Sequence, residues 1–483
     1  MINQSANLNK FFLFGFLSFP FLLVSGPLLP EIFILISCIY FLLINGIQIS
    51  FEKYRKEVFF FLIFFTYLNL NTLFVSETKF LSAKVSITYF RYFLFSFFLV
   101  YILTFNQKIK FFFFYSCLIC LSILLFDSFY QLINKINILG YPIKGVRVSS
   151  FFNDELILGS FTSKIIIIMI AILFCFDSKK NKSQLFFFFI IFLIGYALIL
   201  MSNERTSLAY FIVIFLFFCL IEFNLKKTIL IILCFIVLNI FIQITYPKAF
   251  DRVILYSVEQ FKNSKSIFLS SYRHNLHYFT AFQMFKEKPF TGHGLKSFRI
   301  LCSKPSYKVY EKIIEDKAVY APVDGFIIRR GNNLFLINNK QLDGDFYIGN
   351  DNNEITLKKK FFDFEKVKKG EYLGTYYEFK NGCNTHPHNT HFQFLSTLGL
   401  IGYIFLLVTI LFIIKELFKI LKKKVNKQMK INKYDKAYFI CLIGVLIQIN
   451  PLTPSGSFFN NYNSILFFTI VSFLIYFKNI RKT

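Results

Sequence analysis

Long apolar runs broken by short polar segments make up most of the chain, and neither a 3.6-residue nor a two-residue periodicity governs them. Runs of about 17 to 25 apolar residues match the length a helix needs to cross a bilayer. They begin near residues 9, 30, 57, 86, 110, 156, 185, 207, 227, 391, 436 and 462. This predicts an α-helical polytopic membrane protein with about 12 transmembrane helices. The stretch after Lys10 has no small-residue cleavage site and reads as a first span that also targets the chain.

Charge orients the spans, because basic loops resist translocation. Alternate breaks carry Lys10; Lys53, Arg55 and Lys56; Lys108 and Lys110; Lys179, Lys180 and Lys182; Lys226 and Lys227; nine Lys between Lys415 and Lys436; and Lys478, Arg481 and Lys482, 23 in all. The short intervening breaks carry six: Lys79, Lys84, Lys135, Lys144, Arg147 and Arg205. Both termini are therefore expected in the cytoplasm and the long loop, residues 246–390, on the outer side of the membrane. The expected organisation is nine spans in 1–245, an outer loop with an amphipathic helix in 246–316, a small β-rich insert in 317–380, and a histidine loop with spans ten to twelve in 381–483.

The loop supports this division. Arg273 followed by Leu276, Phe279, Phe282 and Phe285 has helical spacing for an amphipathic helix on the outer membrane surface, and Pro289-Phe290-Thr291-Gly292-His293-Gly294 forces a turn after it. From about Lys317 to Phe379 the pattern becomes strand-like at 319–328, 334–337, 346–348 and 367–374, with turn signals between. Ala321-Pro322-Val323-Asp324-Gly325 and Val367-Lys368-Lys369-Gly370 resemble the barrel-sandwich fold of lipoyl domains and membrane-fusion adaptors. No Met-Lys hairpin for lipoate or biotin is present, leaving acceptor binding, partner docking or a structural cap as roles.

The formal charge of +27 with 55% hydrophobic residues, which in a soluble protein would point to nucleic acid, here follows loop topology, and no nucleic-acid partner is expected. Seven of nine cysteines lie in apolar runs, where Cys acts as a small hydrophobe. Cys302 and Cys383 lie in the outer loop, where an oxidising compartment would favour a disulfide between them, with two free thiols as the alternative. All six histidines, His274, His277, His293, His386, His388 and His391, fall in this loop or at its junction with the next span. Histidine titrates nearest neutrality, so the clustering points to proton transfer or anion binding at one membrane face. The HxHxxH of His386, His388 and His391 is a weak zinc pattern, because Pro387 and the helix start splay the rings; no metal is expected. At the other edge, Asn203-Glu204-Arg205-Thr206-Ser207 joins two spans with almost no loop. Arg205 and Arg273, at the interface, are suited to a phosphate-bearing lipid, since guanidinium grips phosphate oxygens in a fork. Arg205 alone could equally be a snorkelling anchor.

Three segments together carry a family resemblance: Asn203–Ser207 at a span edge; Arg273 opening a helix that closes in Pro289–Arg299; and Thr385-His386-Pro387-His388-Asn389-Thr390 entering a span with Gly399-Leu400-Ile401-Gly402. This combination resembles the O-antigen ligase and polymerase superfamily over about residues 145–405. Arg147-Val148-Ser149-Ser150-Phe151-Phe152 is similar to that family's R-x-S-G-x-F loop, with Ser150 replacing the glycine. The resemblance implies a metal-independent membrane glycosyltransferase without cofactor, moving a glycan from undecaprenyl diphosphate onto lipid A core or another glycan acceptor at the periplasmic face of a bacterial inner membrane. It also implies that Arg205 and Arg273 hold the diphosphate and that His388 is the essential histidine, with Arg147, Glu155, Asn389 and His293 as further substrate-binding candidates. Asn389 could orient a group or cap a helix, Glu155 and Asp154 could act as bases or form a solvated loop, and His293, where the family has an apolar residue, has no assigned role. Ligase function in lipopolysaccharide synthesis is expected first and an O-antigen or exopolysaccharide polymerase second. A transporter would need repeated halves and mid-bilayer charges; a non-catalytic glycan-assembly protein would not need Arg205, Arg273 and His388 together.

Overall fold

A computed structural model describes residues 2–144, 147–176, 181–223, 272–307, 310–321, 323–330, 334–339, 344–348, 353–357, 365–426 and 431–481, with isolated positions between 228 and 244. The span predicted from residue 227 lies largely outside the described residues, as does 245–271. The helices are α1 (Ile2–Val24), α2 (Leu28–Leu43), α3 (Gly46–Phe74), α4 (Lys79–Thr88), α5 (Phe90–Phe105), α6 (Ile109–Asn134), α7 (Leu158–Leu173), α8 (Asn181–Ser202), α9 (Arg205–Glu222), α10 (Tyr272–Glu287), α11 (Phe298–Leu301), α12 (Thr390–Val425), α13 (Lys433–Gln448) and α14 (Asn461–Ile480).

Seven segments among the described residues are long and apolar enough to cross a membrane: α3, α4–α5 taken as Lys79–Phe105, α6, Gln184–Ser202 of α8, α9, α12 and α14. These account for seven of the expected spans, those beginning near residues 57, 86, 110, 185, 207, 391 and 462. The apolar helices Lys10–Val24, Leu28–Leu43 and Leu158–Leu173 are 10–17 residues long, and α13 has 16 residues. At 1.5 Å per residue, 16 residues reach roughly 24 Å, short of a hydrocarbon core of about 30 Å.

Ion pairs tie helix ends that the charge pattern assigns to one side. Lys478 pairs with Glu57 at 2.5 Å, Lys436 with Glu222 at 2.7 Å, and Arg481 with Glu416 at 2.6 Å. Arg91 sits in the first turn of α5, within the Lys79–Phe105 segment, with Nε 2.9 Å and one terminal nitrogen 3.1 Å from the two carboxylate oxygens of Glu31. The pairing is bidentate and joins α2 to α5. Between the ends, Phe rings stack across helices, Phe61 on Phe93 at 3.8 Å and Phe16 on Phe113 at 4.4 Å. Helices in lipid gain little from apolar burial against each other, so such dispersion contacts carry the packing.

Helix α12 is broken near its start. Gly399 has φ 63° and ψ −165°, a conformation open essentially to glycine alone. The Pro289–Gly294 turn docks into the break. His293 N–H donates to the Ser396 carbonyl at 3.1 Å and Gly294 N–H to Thr397 at 2.8 Å, while Leu400 and Ile401 N–H donate to Pro289 and Phe290 at 2.8 and 3.1 Å. The loop supplies partners for backbone groups that the broken helix cannot pair internally. A Cβ at Gly292 would stand 2.5 Å from the Thr397 carbonyl carbon, and one at Gly399 2.4 Å from that of Phe290.

The β insert contains two antiparallel sheets. Strands β1 (Tyr310–Tyr320), β7 (Tyr372–Asn381) and β5 (Asn353–Leu357) form one in the order β1-β7-β5. Strands β4 (Gly344–Ile348), β3 (Leu334–Asn339), β2 (Gly325–Arg330) and β6 (Glu365–Val367) form the other in the order β4-β3-β2-β6. The insert therefore begins at Tyr310 rather than 317, and the run 319–328 is two strands separated by a turn. The Sγ atoms of Cys302 and Cys383 are bonded at its base.

Candidate functional site

Three elements converge at the expected outer end of the bundle: the α8–α9 corner, helix α10, and the loop entering α12. At the corner Asn203 adopts φ 55°, and turn and helix follow without a spacer. The Glu204 carboxylate caps α7, accepting from Gly159 N–H at 2.9 Å and Ser160 N–H at 3.0 Å. An anion at a helix N-terminus is favoured by both the orphan N–H groups and the helix dipole. Arg147 backs this carboxylate at 3.9 Å and donates to the Ser202 and Leu156 carbonyls at 3.2 and 3.1 Å. Arg147 thus braces the corner. Arg205, the first residue of α9, is half-buried, and its neighbours Glu204 and Thr206 line a cavity of about 240 Å³ with Thr390 and Ser455.

Helix α10 buries Leu276, His277, Tyr278, Ala281 and Met284 and exposes Phe279 and Phe282. Phe279 and Phe282 thus form an apolar face that protein does not cover, while Leu276 turns inward because positions three apart drift by about 60° per step on a 3.6-residue helix. Tyr278 stacks on Phe392 of α12 at 4.9 Å, and His277 Nδ1–H donates to the Gly382 carbonyl at 3.0 Å. These contacts, with the Cys302–Cys383 bond, hold the 384–389 loop against α10.

Four histidine rings meet there. His388 lies 5.2 Å from His274, 5.4 Å from His277 and 4.0 Å from His386, centroid to centroid. The backbone of His388 is left-handed, φ 57°, and its carbonyl accepts from Ser455 N–H at 2.8 Å in the α13–α14 loop. A non-glycine residue held in this region costs of order 1–3 kcal/mol and persists where surrounding structure fixes it. Burial pulls the His386 pKa down to about 4, and the positive charges of Lys296 and Arg299 act in the same direction. His386 is therefore neutral near pH 7. Neutral imidazole beside fixed cations can accept a proton or orient a hydroxyl while the cations stabilise an anion.

The remaining sequence-predicted residues have other places. Asn389 caps α12, its side-chain oxygen accepting from His391 N–H at 2.9 Å and Phe392 N–H at 3.3 Å. His391 donates from Nε2 to the Ile449 carbonyl at 2.7 Å and accepts at Nδ1 from Tyr403 at 2.8 Å, a satisfied structural pair. His293 is fully buried, with Nε2 2.9 Å from the Met284 carbonyl and Nδ1 3.1 Å from Glu77. It joins Lys288 and Lys304 around Glu77, at 3.0 and 2.8 Å, tying the α3–α4 turn to the loop. Glu155 is exposed. Arg273 opens α10, but its side chain lies outside the described residues. Among the described residues no group of three His, Cys, Asp or Glu is arranged to hold a metal ion. Ser455 and Glu77 support the loops from distant positions without a sequence assignment; the Pro451–Ser457 stretch, rich in Pro, Ser and Gly, was the available signal for the first.

Comparison with known families bears directly on this corner and on α10. Residues 187–322 match the family described as O-antigen ligase. The match runs from α8 through β1 and contains Arg205, Arg273 and His293, in agreement with the superfamily resemblance carried by the motifs. It supports a membrane protein of the ligase and polymerase type without separating the two. No curated protein matches the chain.

Proposed function

We propose that the protein is a bacterial inner-membrane O-antigen ligase, transferring a glycan from undecaprenyl diphosphate to a sugar of lipid A core at the periplasmic face without a metal. The observation that carries this reading is the O-antigen ligase match over 187–322 next to a histidine loop that packs against α10 within that match. Arg205 and Arg273 hold the diphosphate and stabilise the charge that develops as it departs. His388 acts as general base toward the acceptor hydroxyl, positioned by its left-handed backbone and the Ser455 contact. Neutral His386 packs beside the base, and the braced corner holds Arg205 between Glu204 and Thr206, which line the cavity. Arg147, Asn389 and His293 serve as scaffold for these groups.

Lipopolysaccharide profiling in a deletion strain, complemented with wild type, Arg273→Ala or His388→Ala, tests the assignment alongside analysis of carrier-linked glycans. Long glycan on the lipid carrier with bare core is the expected phenotype. Single repeat units on carrier and core would assign polymerase instead, and an unchanged profile would overturn the proposal.

A further inference from the structure

The cavity beside the α8–α9 corner contains a charged group that the proposed transfer chemistry does not use. Lys164 lies six residues beyond the start of α7, so its backbone sits about 9 Å down the helix. Its side chain lines the cavity, and the residue is only 7% exposed. Burying an ammonium is costly unless it is paired, and such a residue inside a membrane helix marks a functional site by default. Its Nζ donates to Asn463 Oδ1 at 2.9 Å. That is its one hydrogen bond among the described residues, whereas an ammonium carries three donors.

The cavity's other charge, Glu204, acts on the ammonium only through space and makes no hydrogen bond or ion pair to it among the described residues. Glu204 already accepts from Gly159, Ser160 and Ser207, at 2.9, 3.0 and 3.0 Å, and faces Arg147. The remaining polar lining is neutral and suited to hydroxyl groups: Ser160, Tyr210, Gln448 and Asn463. One wall connects to the histidine loop, since Thr390 and Ser455 line the cavity and the Ser455 N–H holds the His388 carbonyl at 2.8 Å. A volume of about 240 Å³ accommodates one sugar ring rather than a chain.

We propose that this cavity is a subsite for a single sugar bearing one anionic group, carboxylate or phosphate, with Lys164 as its counter-ion. The assignment rests on the glycan-transferring reading above, and its test reads binding rather than transfer. The full chain is reconstituted in phosphatidylcholine nanodiscs, and its thermal midpoint is followed against glucuronate, glucose 6-phosphate and glucose. At least one acidic sugar is expected to raise the midpoint in a concentration-dependent way while glucose does not; which of the two does so identifies the anion. Lys164→Met is expected to weaken the response at least about tenfold, the loss of a charge-assisted hydrogen bond. Lys164→Gln keeps a polar end without the charge and should lose the response as well, deciding the matter if the Met variant does not fold. Lys164→Arg should retain part of it. Because the readout is binding and not transfer, failure of the transfer reading would leave this result standing. No response to either acidic sugar in wild type, equal response to glucose, or an undiminished response in Lys164→Gln would overturn the proposal.

Discussion

Replacing Gly399 by alanine should detach the Pro289–Gly294 turn from α12. At φ 63° and ψ −165° a side-chain-bearing residue costs about 1–3 kcal/mol in backbone strain alone. The new Cβ would also stand 2.4 Å from the Phe290 carbonyl carbon and oxygen and 2.5 Å from Thr291 N. These are backbone atoms, which cannot rotate away. Relief requires the turn to withdraw, giving up the hydrogen bonds made by His293, Gly294, Leu400 and Ile401 N–H. At about 1 kcal/mol net for each of these bonds, strain and loss together come to roughly 5–7 kcal/mol. Gly370→Ala is the matched control. It too has a positive φ, 81°, but nothing lies within 4 Å of its Cβ position, so about 1–2 kcal/mol is expected there. Thermal unfolding of both variants in detergent, with glycan transfer measured alongside, checks the difference. Equal midpoints for the two variants, with transfer intact in Gly399→Ala, would refute the docking argument.

Two further outcomes follow from the scaffold. Lys304, Lys288 and His293 hold the Glu77 pKa down to about 2 from 4.5; its contribution to stability is thus complete above pH 4.5 and lost as pH falls through 2. Glu77→Gln should flatten the stability-versus-pH curve over that window, and an unaltered acid limb would contradict the cluster's role. The Cys302–Cys383 bond spans 81 positions, so the double serine variant should lose about 4 kcal/mol by loop entropy and should free the 384–389 loop to proteolysis; protection equal to wild type would argue against the anchoring.

Much of the architecture is legible in the sequence, because bilayer spans are written as apolar length and helix ends as charge. The α8–α9 hairpin, the strand-rich insert and the gathering of histidines at one end are all readable this way. What escapes is pairing at a distance. Arg91 reads as a charge within a span until Glu31, 60 residues earlier, supplies the partner. His293 reads as a site residue because chain order places it between two glycines, whereas the fold turns it onto Glu77. Gly399 carries a break that local composition cannot announce, since the reason for it is the approach of another loop. On α10 a spacing of three residues keeps a face only over short stretches, so Leu276 leaves the stripe on which Phe279 and Phe282 stay.

The central claim is tested most directly with the purified full chain, undecaprenyl-diphosphate-linked glycan and lipid A core, with and without a metal chelator. The account predicts chelator-insensitive transfer by wild type and a loss of about 10²- to 10⁴-fold in His388→Ala, with the variant unfolding at the wild-type temperature. Transfer that survives His388→Ala, or that stops on chelation, would contradict it.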